Sequence, residues 1–264
     1  MAARRWWWLV VLVVGIALFV ALNQVLVTTQ NPNLVPSLIL LGAAVVPATF
    51  VAFVAGRRLV FGVGAGVIAI TAFVGGVVGV VTAGLLEFDV MRSLGVMPML
   101  AVGVIEEAAK LIGPIGVLLF VRHRQPADGL LVGVASGAGF AALETMGYAF
   151  VTLIQSKGNI LATDAVLLLR GVLSPAAHMA WTGLTAAALF AAAERGWRGA
   201  AVARFLGVYL VAVLLHTTWD SVGSPLVYII LAAISLGLLT YTAHRLAGTA
   251  RDARPSGSLP VGRP

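Results

Sequence analysis

The chain contains no cysteine, only four histidines, and charged side chains at just 10% of its positions. The first absence excludes disulfides and thiolate-held metals, so any metal must rest on histidine and carboxylate. The scarcity of charge excludes a soluble globular domain, in which roughly a quarter of residues are charged. In place of charge stands a composition that is 60% hydrophobic, as in an integral membrane protein. At about 20 apolar residues per crossing, 264 residues have room for about eight transmembrane helices. The expected fold is all-α, a polytopic membrane helix bundle with short loops.

Apolar runs place the crossings near 6–27, 35–55, 59–86, 97–121, 129–155, 171–193, 201–221 and 225–243. The first exceeds the roughly 7–15 apolar residues of a signal peptide and is expected to stay as an uncleaved helix. Pro47 should bend the second crossing and Pro114 kink the fourth. Gly62/Gly66 and Gly75/Gly79 give the third the small-x-x-x-small spacing that lets helices approach closely. Gly62, Gly64 and Gly66 follow no strand, so they do not read as a phosphate loop. The stretch 159–170 is expected to lie in the interface.

Basic residues set the sides. One set of alternating loops carries thirteen arginines, among them Arg5, Arg57, Arg58, Arg122, Arg124 and Arg195. The opposite loops carry Arg92, Lys157 and Arg170. Both termini are therefore cytoplasmic, and the net charge of +7 is a topology signal, not the footprint of a nucleic-acid partner. His123 and His244 fall at cytoplasmic ends, and Glu87, Asp89 and Arg92 in an outer loop. The expected organisation is a three-helix scaffold (1–94), a catalytic four-helix core (95–223), a last transmembrane helix (224–246) and a disordered cytoplasmic tail (247–264).

Seven ionisable residues remain inside the crossings: Glu106, Glu107, Lys110, Glu144, His178, His216 and Asp220. All fall in crossings four to seven. A charge at mid-membrane costs about 2.5–3.5 kcal/mol on insertion scales, so these residues need partners or a function. Lys110 is one helical turn from both Glu106 and Glu107 and reads as their counter-ion. At ~1.5 Å per residue, Glu106 and Glu144 lie roughly 16 Å below the outer helix ends and the two histidines roughly 10 Å. Asp220, near the outer rim, follows His216 by one turn and is placed to orient its ring. Trp181, Trp219 and Tyr148 read as packing residues.

Acids and imidazoles at one shielded level suit hydrolysis, which needs a base for water and support for an oxyanion. Two histidines and a carboxylate also form a three-ligand zinc site with an open position. No local His-Glu-x-x-His is present, so such a site must be assembled across helices. The same residues could build the relay of a proton- or ion-coupled transporter. Transporters, however, commonly repeat their broken helices in corresponding halves, and the first three crossings offer no counterpart.

The set resembles the PrsW family of intramembrane proteases, within the clan of CAAX-prenyl endopeptidases and bacteriocin-processing proteases. Glu-Glu-x-x-Lys is matched by Glu106, Glu107 and Lys110, and Phe-x-x-x-Glu by Phe140 and Glu144. The lone histidine of the next helix is matched by His178, and His-x-x-x-Asp by His216 and Asp220. These motifs span 106–220; residues before about 94 and after 225 carry no part of the resemblance.

The resemblance implies a multi-pass protein of the cell membrane, surrounded by lipid, that cuts a membrane-anchored protein such as a single-span regulator. It carries catalytic roles to Glu106, Glu107, Glu144, His178, His216 and Asp220. A metal is left open. In one version His178, His216 and Glu144 hold zinc and Glu106 or Glu107 is the base. In the other, one of that glutamate pair takes the proton from water with no metal. A non-enzymatic partner that kept the motifs by descent is the third class.

Overall fold

In lipid every backbone polar group must be satisfied within the chain, and the described residues form helices and no strands. The computed structural model describes residues 2–57, 59–121 and 125–252. Helices α1 (Ala2–Thr29), α2 (Val35–Ala55) and α3 (Ala65–Leu94) precede two short ones, α4 (Met99–Lys110) and α5 (Ile112–Gly116). Then follow α6 (Pro126–Gln155), α7 (Ile160–Leu173), α8 (His178–Glu194), α9 (Gly199–Ser221) and α10 (Pro225–Asp252). Among the described residues, seven helical segments are long and apolar enough to cross a membrane.

The crossing expected at 97–121 is not one of those seven, because it is broken. α4 ends at Lys110, α5 is a single turn, and a π-helical turn, Val117–Val121, follows. Pro114 has no N–H to offer the carbonyl four residues back, which belongs to Lys110. The Ser136 hydroxyl of α6 donates to that carbonyl instead, at 2.6 Å. The expected kink is thus an interruption, capped from a neighbouring helix.

The sixth crossing is divided in the same way. The stretch 159–170 is helical, its first turn capped by the Asn159 side chain accepting from the Ala162 N–H. A 3₁₀ turn, Ser174–Ala176, separates α7 from α8 around Pro175. Ala177 takes φ −114 and ψ −113, and His178 opens the next helix rather than sitting in the middle of one.

Three other boundaries differ from expectation. Residues 59–64 precede α3 instead of belonging to it, and the Gly62 and Val63 N–H groups donate to Asp128 Oδ1 at 2.7 and 3.2 Å. Gly62 is therefore a ligand of a buried carboxylate and not a helix-packing residue. α3 continues through Glu87, Asp89 and Arg92 and stops at Gly95, whose φ of +68 suits glycine. α10 runs on to Asp252, past the start of the expected tail. Residues 253–264, Arg58, and the connector with Arg122, His123 and Arg124 lie outside the described residues.

α6 is the central helix. Its Gly129, Gly133 and Gly137 lie one turn apart and face α8. A Cβ on Gly137 would stand 2.5 Å from the His178 carbonyl oxygen, and one on Gly129 2.6 Å from the Phe190 ring. On another side, a Cβ on Gly76 of α3 would stand 2.7 Å from the Gly139 backbone. Gly75 and Gly79, the pair expected to pack, lie against Ser136 and Phe140. Backbone contact of this closeness is how helices associate where apolar burial offers little. Arg5, Arg57 and His244 line one cleft, so α1 begins, and α2 and α10 end, on a common side, as the charge rule requires.

Candidate active site

The break after Lys110 leaves α4 with two acids and an ammonium in its last two turns, facing α6, α8 and α9. Lys110 is fully buried, and its Nζ has three partners: Glu107 Oε1 at 2.9 Å, Glu106 Oε2 at 3.1 Å and His178 Nδ1 at 2.7 Å. Nζ also lies 4.5 Å from the centre of the Phe140 ring. The counter-ion role read from spacing is present, and the ammonium reaches an imidazole as well. Because an ammonium only donates, His178 Nδ1 must be the acceptor. The other nitrogen of that ring, Nε2, which then carries the hydrogen, lies 3.0 Å from Glu144 Oε2.

His216 of α9 is also buried. Its Nδ1–H donates to Glu107 Oε1 at 2.8 Å. Its Nε2 lies 3.1 Å from Asp220 Oδ2 and 3.5 Å from Glu106 Oε2. Only a proton or a cation makes that position, between two carboxylate oxygens, a favourable one. α4 and α9 come this close because Gly103 has no side chain: a Cβ there would meet Thr217 Oγ1 at 2.7 Å. Trp181 stacks on His216, ring centres 5.1 Å apart, and its indole N–H donates to Ser235 Oγ at 2.9 Å. The two imidazoles meet edge to face at 5.3 Å.

The structure thus joins all the polar residues expected to meet. Glu106, His178 and His216 each offer an atom to a group lying within 4.8 Å of one another. Glu144 touches His178, and Asp220 touches His216, at the side-chain exposures of 20% and 32% that open the site outward. Glu107, by contrast, is wholly buried behind them. Glu106 Oε2 is buried and ion-paired yet has no well-directed hydrogen-bond donor.

One residue escaped the sequence reading. Arg170, expected in an outer loop, lies in α7 with Nη2 2.8 Å from Glu144 Oε2. Its guanidinium stacks 4.0 Å over the Tyr148 ring. The signal available was Glu144 itself, a membrane carboxylate with no basic residue near it in sequence.

The family model of PrsW family intramembrane metalloproteases matches residues 56–243. The match is wider than the motifs, taking in α3 and most of α10 beyond 106–220. No curated protein and no solved structure gives a match. With the motif residues gathered into one buried centre and most of the length matched, the chain belongs to the PrsW family of intramembrane metalloproteases, a multi-pass membrane protease.

Proposed function

We propose that this protease is an endopeptidase that hydrolyses a peptide bond of a membrane-tethered protein near the extracytoplasmic face. In this reading Glu106, His178 and His216 hold a divalent metal, with zinc the ion best suited to two imidazoles and a carboxylate. The observation that carries it is the grouping of those three side chains' donor atoms within 4.8 Å. Two features of the chain fit a cation there. Glu107 holds the far nitrogen of His216, as a carboxylate behind a metal-bound histidine does. The Lys110 ammonium already places positive charge between Glu106 and His178, so a metal on His178 Nδ1 would replace one cation with another.

When bound, such an ion makes water a nucleophile at neutral pH and polarises the scissile carbonyl. The chain supplies the rest. Glu144, held between Arg170 and His178 and partly exposed, takes the proton as water oxygen bonds to the carbonyl carbon. The same proton then passes to the leaving nitrogen as the C–N bond breaks. Glu107 fixes the ring of His216 through Nδ1, and Asp220, 3.1 Å from Nε2, adds negative charge beside the nitrogen that would face the ion. This ligand set puts Glu106 where the sequence reading put Glu144.

A second reading has its own observation: Lys110 already pairs with both Glu106 and Glu107. Glu106 would then act as the base on a water with no metal. Elemental analysis of the purified chain in detergent separates the two. About one zinc per chain, lost in His178→Ala and His216→Ala, supports the first; no metal alongside peptide cleavage supports the second. The substrate expected is a single-span membrane regulator. Family membership removes the main ground for the transporter class.

A further inference from the structure

A pocket of about 120 Å³ opens beside His178, between the end of α7, the 3₁₀ turn, the end of α9 and the start of α10. Leu173, Ala177, Trp219 and Tyr228 form its walls. Its polar points are Arg170, Ser174 and His178. Trp219 meets Tyr228 at 4.7 Å and Trp181 at 6.0 Å, and Trp181 in turn stacks on His216. Pocket and polar centre therefore share an aromatic wall as well as an imidazole.

We propose that this pocket receives one aliphatic side chain of the substrate, at a residue adjoining the scissile bond; the proposal rests on the endopeptidase reading above. The choice of an aliphatic guest follows from where the polar points are already committed. The Ser174 hydroxyl donates to the Arg170 carbonyl at 2.7 Å. The Arg170 guanidinium is paired with Glu144 and covered by Tyr148. Both nitrogens of His178 are engaged, by Lys110 and by Glu144.

A charged or amide side chain entering here would give up its water with only the guanidinium edge not used by Glu144 and Thr145 to meet it, which disfavours it. An aliphatic one gives up nothing. Size narrows the choice further. A cavity of about 150 Å³ holds benzene, so this one takes a valine, leucine or isoleucine side chain and turns away tryptophan. Leu173 is the residue on which that limit rests, since it is a partly buried wall residue that makes none of the site's ion pairs.

The test uses the full chain in liposomes with a single-span reporter whose juxtamembrane segment is randomised, cut positions being read by mass spectrometry. Wild type is expected to enrich valine, leucine or isoleucine at one position next to the cut. Leu173→Phe should move that preference to alanine and glycine, and Leu173→Ala should admit phenylalanine, each by about tenfold. Cleavage with no side-chain preference overturns the pocket, as does an unchanged preference in both variants. So does loss of all cleavage in both variants while they remain folded and monodisperse. If wild type cuts no more than Glu106→Gln, the protease mechanism itself falls, and the pocket with it.

Discussion

Lys110 Nζ lies 2.7 Å from His178 Nδ1, joining an ammonium on α4 to an imidazole on α8 across the middle of the bundle. The contact makes Lys110 more than the counter-ion of its own helix. It fixes which nitrogen of His178 carries hydrogen, and through His178 it orients Glu144.

Replacing Lys110 should therefore be costly. Lys110→Met leaves Glu106 and Glu107 buried beside each other without the ammonium they share, and breaking a buried pair costs about 3–5 kcal/mol. Thermal unfolding in detergent should show a large fall in Tm. Adding Glu107→Gln to the same chain should recover part of it, because one of the stranded charges is removed.

Ser136 should behave as a cap for the broken crossing. Ser136→Ala orphans the Lys110 carbonyl, which costs about 1–3 kcal/mol for a buried acceptor. Pro114→Ala restores an N–H four residues after Lys110. A double-mutant cycle on unfolding free energy is expected to be non-additive, with Ser136→Ala costing less in the Pro114→Ala chain.

Gly103 controls the approach of α4 to α9. Gly103→Val has no room against Thr217 and should draw Glu107 away from His216. On the proposed metal reading, loss of a carboxylate behind a ligating histidine costs about 10–100-fold in metal affinity or activity. Glu107→Gln should show a loss of the same order, measured as reporter cleavage rate. Gly207→Val, on the same helix as His216 but with open space at its Cβ, should keep wild-type activity.

Arg170→Gln should leave Glu144 without its cation, lowering the cleavage rate more than substrate affinity. Arg170→Lys should rescue the rate only partly, since a lysine ammonium lacks the planar face that stacks on Tyr148. The measurement is kcat against KM for a cleaved reporter.

The architecture was legible because lipid imposes it: long apolar runs must be helices, and arginine counts orient them. The polar centre was legible because seven ionisable residues in so apolar a chain stand out, and helical spacing already paired Lys110 with the two acids. Connections between residues far apart in sequence were not legible. Ser136 looks like one more small residue in α6, although Pro114 announces an unmet carbonyl. Gly62 suited a packing motif, and nothing local links it to Asp128. Arg170, alone in an apolar stretch, could be placed only by knowing that α7 passes Glu144. The stripe Gly129, Gly133, Gly137 has the spacing of a packing face, and it brings the backbone of α8 at His178 against α6.

That Glu106, His178 and His216 form one hydrolytic centre is tested most directly by cleavage of a single-span reporter in liposomes by purified chain. Wild type should cut it, while Glu106→Gln, His178→Ala and His216→Ala, each folded, should cut at least about a hundredfold more slowly. Full activity in any one of the three would contradict a shared centre.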